Sequence, residues 1–461
     1  MLPPAIADYL ETHRDENLRL LMELLRFPTL STGPDEPTRA CAAWLAGKLR
    51  AMGFSVELAP AGAGKPNVIA SAVVDPSKPT LLIYEHYDVQ PPEPLNEWLS
   101  DPFEPVIRDG AIYARGSDDD KGPLAAYLAC LGAYKAVTGT FPVNIKCFFE
   151  GQEEIGSPGL EGFFLEHADE LAADAAVISD SGFFADDVPS ITYALRGLVY
   201  AEITVTGPSA DIHSGSHGGA ITNPVNALAR ILTAAQDADG RVTLPGFYDD
   251  ILPPAPEELA DWARLPHDDA AYAASMGVGA LGGGERGLPS LQRRWSRPTF
   301  DANGIVGGYT GPGAKTIIPA KASAKVSMRL VPNQRPEKIA DSLRRFLADN
   351  TPPGVQVSLQ FHSNSRPVLL ATDSPAMTAA KDALADVFGR KPVMIRGGGS
   401  VPVTELIQRI LGLDSVLLGF GLPGNNVHSP NEHFPLDQYH RAALCLATFL
   451  ANFAQGGGHG R

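Results

Sequence analysis

The sequence predicts an α/β protein: a split domain with a largely parallel sheet and helices on both faces, plus an inserted α+β domain. Three observations lead there. Short apolar runs of strand length alternate with helical segments up to about Arg196, that texture is interrupted, and it resumes after Arg366. At 461 residues the chain also exceeds the roughly 250 to 300 residues at which single hydrophobic cores stop growing. Two domains are therefore expected.

Apolar residues recur at helical spacing from Asp8 to Arg26 (Leu10, Leu18, Leu21, Leu25), and a second helix fits Glu36 to Met52. The runs NVIASAVV, PTLLIYEH, VNIKCFFEG and AAVISDSG, bounded by Pro, Gly, Asn or Asp, read as strands, with GPLAAYLACLGAYKAV as a helix between them. Continuous apolar runs suit strands buried on both faces of a parallel sheet. From LVYAEITVTG onward polar and apolar residues alternate. Helices NPVNALARILTAA and PEKIADSLRRFLADN are interleaved with strands AKASAKVSMRLVP and VQVSLQFHS, and a Pro-, Gly- and acid-rich stretch runs from Gly246 to Gly287. The helix MTAAKDALADVF and strand SVLLGFG then return to the first pattern. The expected division is 1–196 and 366–461 for the two halves of the first domain, with 197–365 inserted between them.

Hydrophobic residues at 44% and charged residues at 20% are ordinary for a globular protein and exclude a disordered chain. A net charge of -16 disfavours nucleic acid and anionic membranes as partners, because both attract Lys and Arg. No segment approaches 18 uninterrupted apolar residues, and the N-terminus has no basic region ahead of an apolar run, so neither a membrane span nor a signal peptide is expected. Cys41, Cys130, Cys147 and Cys445 show no metal-type spacing and no disulfide framework, which suits the cytoplasm.

Acids and histidines gather just past the strands. His86 and Asp88 end one run, Glu153 and Glu154 another, Asp180 a third, and His428 follows a fourth. Asp119, in RGSDDDKG, precedes a helix that starts near Gly122. The carboxyl edge of an open α/β sheet is where ligands bind. Two histidines and at least three carboxylates without thiolates suit zinc, manganese or cobalt. One carboxylate can bridge two cations about 3.5 to 4 Å apart, which share a water and polarise a carbonyl, and a further glutamate can act as base. Taken singly, DDDKG reads as a solvated turn, GQEE as a helix start and a lone His as a satisfied polar residue. Their joint occurrence at strand exits of one domain favours the metal centre.

The blocks YEHYDVQP, YARGSDDDKGP, EGQEEIGSPGL, ISDSG, DIHSGSHGG, GYTGPGAKTIIP, SMRLVPN and HSPNE span nearly the whole chain. In these blocks and their order the sequence resembles a dinuclear zinc peptidase and amidohydrolase family. That family contains carnosinase-type cytosolic dipeptidases, carboxypeptidase G, aminoacylase, acetylornithine deacetylase and succinyl-diaminopimelate desuccinylase, and the resemblance is closest to the dipeptidase branch. It implies two zinc ions, one held by His86, Asp119 and Asp180 and the other by Asp119, Glu154 and His428, with Asp119 as bridge. It further implies that Asp88 orients His86, that Glu153 is the general base, and that the peptide bond between Asp119 and Asp120 is cis. Asp118 and Asp120 are expected to be replaceable at moderate cost.

The insert then resembles the family's lid and dimerisation domain. His213 would stabilise the oxyanion across a homodimer, Arg329 would bind the substrate carboxylate, and Thr316 and Ser400 would add hydrogen bonds. Two departures from the family pattern stand out: Glu85 replaces a glycine before His86, and Gly397 replaces the glutamate implied to hold a dipeptide's free amino group. The expected activity is metal-dependent hydrolysis of a peptide or amide bond next to a free carboxylate, in the first place as a dipeptidase on small peptides. An N-acyl-amino-acid amidohydrolase or a carboxypeptidase is the enzymatic alternative, and a catalytically retired binding protein the non-enzymatic one.

Overall fold

The N-terminal periodicity yields two helices, Pro4–Thr12 and Arg14–Leu25, where spacing alone suggested one. The break has a chemical cause. Thr12 Oγ1 donates to the Asp8 carbonyl (2.8 Å), while His13 Nδ1 lies 2.8 Å from the Tyr9 carbonyl and its ring stacks on Tyr9. Side chains that compete for main-chain carbonyls bend or end helices. The third helix, Asp35–Ala51, follows. The computed structural model describes residues 2–61, 64–399 and 401–456. The chain divides into two units: Met1–Tyr193 with Leu370–Ile395 and Pro402–Arg461, and Ala194–Leu369 with Arg396–Val401.

The sheet of the first unit runs in the order Ser55–Pro60, Pro66–Ala72, Asn144–Glu150, Thr80–His86, Ala175–Ile178, Ser415–Leu417, Ser190–Leu195. Its middle strands, from Asn144–Glu150 to Ser415–Leu417, are parallel, and antiparallel strands flank them. Alternation along each strand feeds two faces. Phe149 joins the core that includes helix Lys121–Thr138, while Phe148 packs on Phe163 and Phe164 of helix Leu160–Glu166. Helix Lys121–Thr138 is buried along most of its length, between the Thr80–His86 strand and helices Arg14–Leu25 and Leu436–Gly456.

Chain order locates the functional edge. From Thr80–His86 the chain passes to the neighbour on one side, Asn144–Glu150, and then to the neighbour on the other, Ala175–Ile178. That reversal is a topological switch point, and loops leaving the carboxyl ends there diverge to open a crevice. A separate three-stranded sheet, which the sequence pattern did not reveal, pairs His433–Pro435 with Ala111–Tyr113 and the latter with Val106–Arg108. It brings residues 432 and 114 together, with the Ala114 amide donating to the Glu432 carbonyl (3.2 Å).

The second unit carries an antiparallel sheet in the order Thr299–Gly307, Lys321–Leu330, Gly197–Thr206, Gln356–Ser365. Helices Pro224–Ala234 and Pro336–Asn350 cover one face through Leu228, Ile231, Leu343 and Phe346. The Pro- and Gly-rich stretch contains two short helices, Pro256–Trp262 and Asp269–Ser275. All four cysteines are free and buried, and among the described residues no helix is long and apolar enough to cross a membrane.

Candidate metal centre

Asp119 stands between two histidines. Its Oδ1 lies 2.9 Å from His86 Nε2 and its Oδ2 2.9 Å from His428 Nε2. Each side gains one more acid: Asp180 joins His86 and Asp119, and Glu154 joins Asp119 and His428, 3.2 Å from the latter's Nε2. Within each triplet the donor atoms all lie within 4.8 Å of one another. A carboxylate common to two His-and-acid sets is the donor arrangement that a bridged pair of cations requires.

The electrostatics point the same way. Burial, with Asp119 adding to it, pushes Asp180 up to about 7, and burial drives Glu153 well above the usual carboxylate range. Asp119 also feels burial, but His428 and His86 hold it below that range. His428 is raised to about 10 by its contacts with Asp119 and Glu154. Carboxylates forced toward their neutral form beside histidines forced toward their charged form mark a site short of positive charge. Divalent cations would supply it, and the donor set fits them.

The folding of each loop explains how these groups meet. His86 is the last residue of its strand, and its main-chain N–H donates to Asp120 Oδ2 (3.0 Å). Its Nδ1 lies 3.1 Å from the Asp88 carbonyl and 3.5 Å from Asp88 Oδ1. The Asp88 carboxylate accepts the amides of both Glu153 and Glu154 (3.1 Å each), so one buried acid links two strand exits. Gln90 Nε2 donates to Glu154 Oε2 (2.8 Å) and orients it. His428 sits at φ 61°, in the left-handed region that few non-glycine residues adopt.

The acidic turn has its own clamp, which the sequence did not announce. Glu432 accepts from Arg115 Nη1 (2.6 Å) and the Gly116 amide (3.0 Å) on one oxygen, and from the Asp118 (2.9 Å) and Asp119 (3.1 Å) amides on the other. Four donors leave no acceptor for a carboxyl proton, so Glu432 is ionised although burial pushes its pKa upward. Asp118 and Asp120 are buried, 6% and 0% exposed, rather than solvated flanks. The Asp119–Asp120 bond is cis.

The remaining predicted residues belong to the second unit. His213 ends strand Ile212–His213, paired with Ile317–Ile318, and its Nδ1 accepts from the Gly215 amide (2.9 Å). Thr316 is adjacent, its carbonyl accepting from the Ser214 amide (3.1 Å). Arg329 lies on strand Lys321–Leu330, half-buried, where burial lowers its pKa and Asp301 opposes the shift. Ser400 lies outside the described residues.

The model of Peptidase family M20/M25/M40 matches residues 82–452. The chain belongs to this family. Among curated relatives of this M20-family chain, the Cys-Gly metallodipeptidase dug1 of Schizosaccharomyces pombe is 35% identical over 84% of the chain and 83% of that protein. The Beta-Ala-His dipeptidase of Homo sapiens is 32% identical over 98% and 94%. Among solved structures, human carnosine dipeptidase 1 superposes with a TM-score of 0.83 at 30% identity, covering 99% of this chain and 100% of that one. The M20-family metallo-carboxypeptidase Sso-CP2 from Sulfolobus solfataricus gives 0.86 at 32% identity, covering 95% and 99%. This M20-family protein is thus a metal-dependent peptidase, and the two curated relatives named above are dipeptidases.

Proposed function

We propose that the protein is a dinuclear, zinc-dependent dipeptidase that cleaves a peptide bond next to a free carboxylate, and that it works in the cytoplasm as a homodimer. The sharing of Asp119 between two His-and-acid triplets carries this reading. His86, Asp119 and Asp180 would hold one ion and Asp119, Glu154 and His428 the other; manganese or cobalt suits the same donors. When bound, the pair lowers the pKa of a shared water and polarises the scissile carbonyl.

Asp88 fixes the His86 ring and, through two amides, the start of the Glu153–Glu154 turn. Glu153, whose affinity for a proton burial has raised, accepts one from the attacking water. As the new C–O bond forms and the C–N bond breaks, it returns that proton to the leaving amine. His213 accepts from the Gly215 amide at Nδ1, which leaves the proton of a neutral ring on Nε2, ready to donate to an oxyanion. In the proposed dimer it would serve the partner's site. The outermost strand Thr299–Gly307, with Ile305 and Val306 exposed, offers an apolar edge for that association through the second unit, the proposed lid. Arg329, with Thr316 and Ser400, would hold the substrate carboxylate.

Gly397 favours a second reading, an N-acyl-amino-acid deacylase or carboxypeptidase. No side chain at 397 offers a carboxylate to a free amine, and the neighbouring Arg396 is paired with Glu258 at 2.6 Å. Rates on a free dipeptide and its N-acetylated form separate the two. For the hydrolase itself, Glu153→Gln is the test: metal content stays, and turnover falls by about 100-fold or more. Near-normal turnover in that variant removes Glu153 from the mechanism, and zinc-loaded wild type without hydrolysis leaves only a binding protein.

A further inference from the structure

A cavity of about 320 Å³ opens beside the metal centre within the first unit, with Asp119 and Asp180 at its edge. Whatever fills it lies next to the reacting atoms. The cavity owes its openness to two loops joined through main chain alone. Gly182 bridges to Gly421, the Phe183 amide donates to the Gly421 carbonyl (2.8 Å), and the Gly421 amide donates to the Ser181 carbonyl (3.2 Å). A Cβ on Gly182 would come 2.4 Å from the Gly421 carbonyl oxygen, and one on Gly421 would come 2.9 Å from Asp118 Oδ2. The glycines therefore let the loops close and leave the space above them free of side chains.

Phe183, Ile395, Leu422, Pro423 and Val427 form its apolar walls, with the hydroxyls of Ser181 and Thr192 and the carboxyl of Asp118 beside them. Phe183 is fixed by edge-on packing against Phe388, with ring centroids 4.8 Å apart. Among the described residues no Lys, Arg or His lines the cavity, so an acidic side chain entering it finds no cationic side chain to pair with. Direction follows from what is missing from the lining: neither Glu153 nor Glu154 belongs to it. Glu153 hands its proton to the leaving amine, so the amine half of the substrate lies toward Glu153. The cavity faces the acyl half.

We infer that this cavity is the pocket for the side chain on the acyl half of the substrate, and that it selects a bulky apolar group there, leucine or phenylalanine over glycine or aspartate. The inference rests on the hydrolase reading above. The test compares kcat/KM of the zinc-loaded enzyme on Gly-Gly, Ala-Gly, Leu-Gly, Phe-Gly, Asp-Gly and Lys-Gly. A methylene gained in a hydrophobic pocket is worth roughly 10-fold or more, so Leu-Gly exceeds Gly-Gly by at least about 10-fold and Asp-Gly is among the poorest. Ile395→Trp narrows the pocket and lowers the Leu-Gly to Gly-Gly ratio by roughly 10-fold, while Ile395→Ala widens it and moves the optimum to Phe-Gly. Thermal melts establish that each variant is folded, and if the tryptophan variant is not, the alanine variant decides.

Ratios unchanged in the folded variants, or a preference for Asp-Gly or Lys-Gly, overturn the inference and leave the hydrolase reading intact. Calorimetric binding of free leucine and glycine to the zinc-loaded protein covers the other case. If no dipeptide is cleaved, yet leucine binds at least about 10-fold more tightly than glycine and Ile395→Trp abolishes the difference, the pocket stands and the hydrolase reading falls. If leucine and glycine then bind alike, both fall.

Discussion

Replacing Glu432 by glutamine will loosen the turn that carries Asp119 and weaken metal binding at a distance. Glu432 is not itself a predicted ligand, but its two oxygens hold four donors, Arg115 Nη1 and the amides of Gly116, Asp118 and Asp119. Glutamine keeps one acceptor oxygen, enough for the Asp118 and Asp119 amides, and turns an NH₂ toward Arg115 and Gly116, which are themselves donors. Two charge-assisted hydrogen bonds are lost at about 1.5 to 3 kcal/mol each, and the buried guanidinium is left without its counter-charge. Together that is about 3 to 6 kcal/mol of local stability, comparable to the cost of breaking a buried ion pair. Hydrogen exchange of a peptide covering 115–119, read by mass spectrometry, will speed up by about 100-fold or more, since about 1.4 kcal/mol is tenfold. Zinc affinity by chelator competition will fall by roughly 10- to 100-fold, as for other residues that orient a ligand. Arg115→Met added to Glu432→Gln will recover part of the loss, because no unpaired charge remains. Exchange within about 3-fold of wild type together with unchanged zinc affinity would refute the view that Glu432 organises the bridge.

Metal content will distinguish the bridge from its neighbours: Asp119→Ala binds close to no zinc by atomic absorption, whereas Asp180→Ala and His428→Ala each keep about one ion per chain. Equal losses in all three variants would argue against a shared ligand. The four cysteines will resist a thiol reagent in the native protein and react fully in denaturant, because all are buried and burial pushes Cys41 up to about 12 and the others further. Rapid labelling of any one in the native state would contradict its packing.

Much of the candidate centre was legible because its signals are local. An apolar run that stops at an acid or histidine marks a strand exit, and the ligand candidates His86, Glu154 and Asp180 all stand at such stops. The choice of Asp119 among three aspartates was not local; it came from resemblance, since nothing in DDDKG distinguishes one carboxylate from the next. Glu432 escaped notice because its partners lie more than 300 residues away in sequence and the strands that deliver it are three residues long, too short for any periodicity. Asp118 and Asp120 were expected to be replaceable at moderate cost, and both are buried. The turn folds inward, with Asp120 caught by the His86 amide, so a run of acids that reads as solvent-facing is interior. The N-terminal helix was read as continuous because hydrophobic spacing does not register side chains that take main-chain carbonyls.

Protons and cations compete for this edge of the sheet, and the competition fixes a pH signature for the metal-free protein. Burial raises Asp180 and Glu150 to about 7 and Glu85 to about 8. An acid whose folded pKa is raised keeps a proton that the unfolded chain has already released, so its contribution is complete below the unfolded value and is lost as pH climbs to the folded one. His428, raised to about 10 by Asp119 and Glu154, acts in the same sense above its unfolded value near 6.5. Asp119, held low by the histidines against burial, acts in the opposite sense, but its loss comes in acid, below the window that concerns the others. Stability of the metal-free protein will therefore decline from about pH 5 to about pH 8, each unit of pH costing up to about 1.4 kcal/mol for each group in transition. Zinc replaces the protons as the source of positive charge, so its stabilising effect will be larger at pH 8 than at pH 5. Thermal melts with and without zinc at the two pH values measure both slopes. A metal-free protein that melts higher at pH 8 than at pH 5 would show that these carboxylates are relieved by something other than protons or cations.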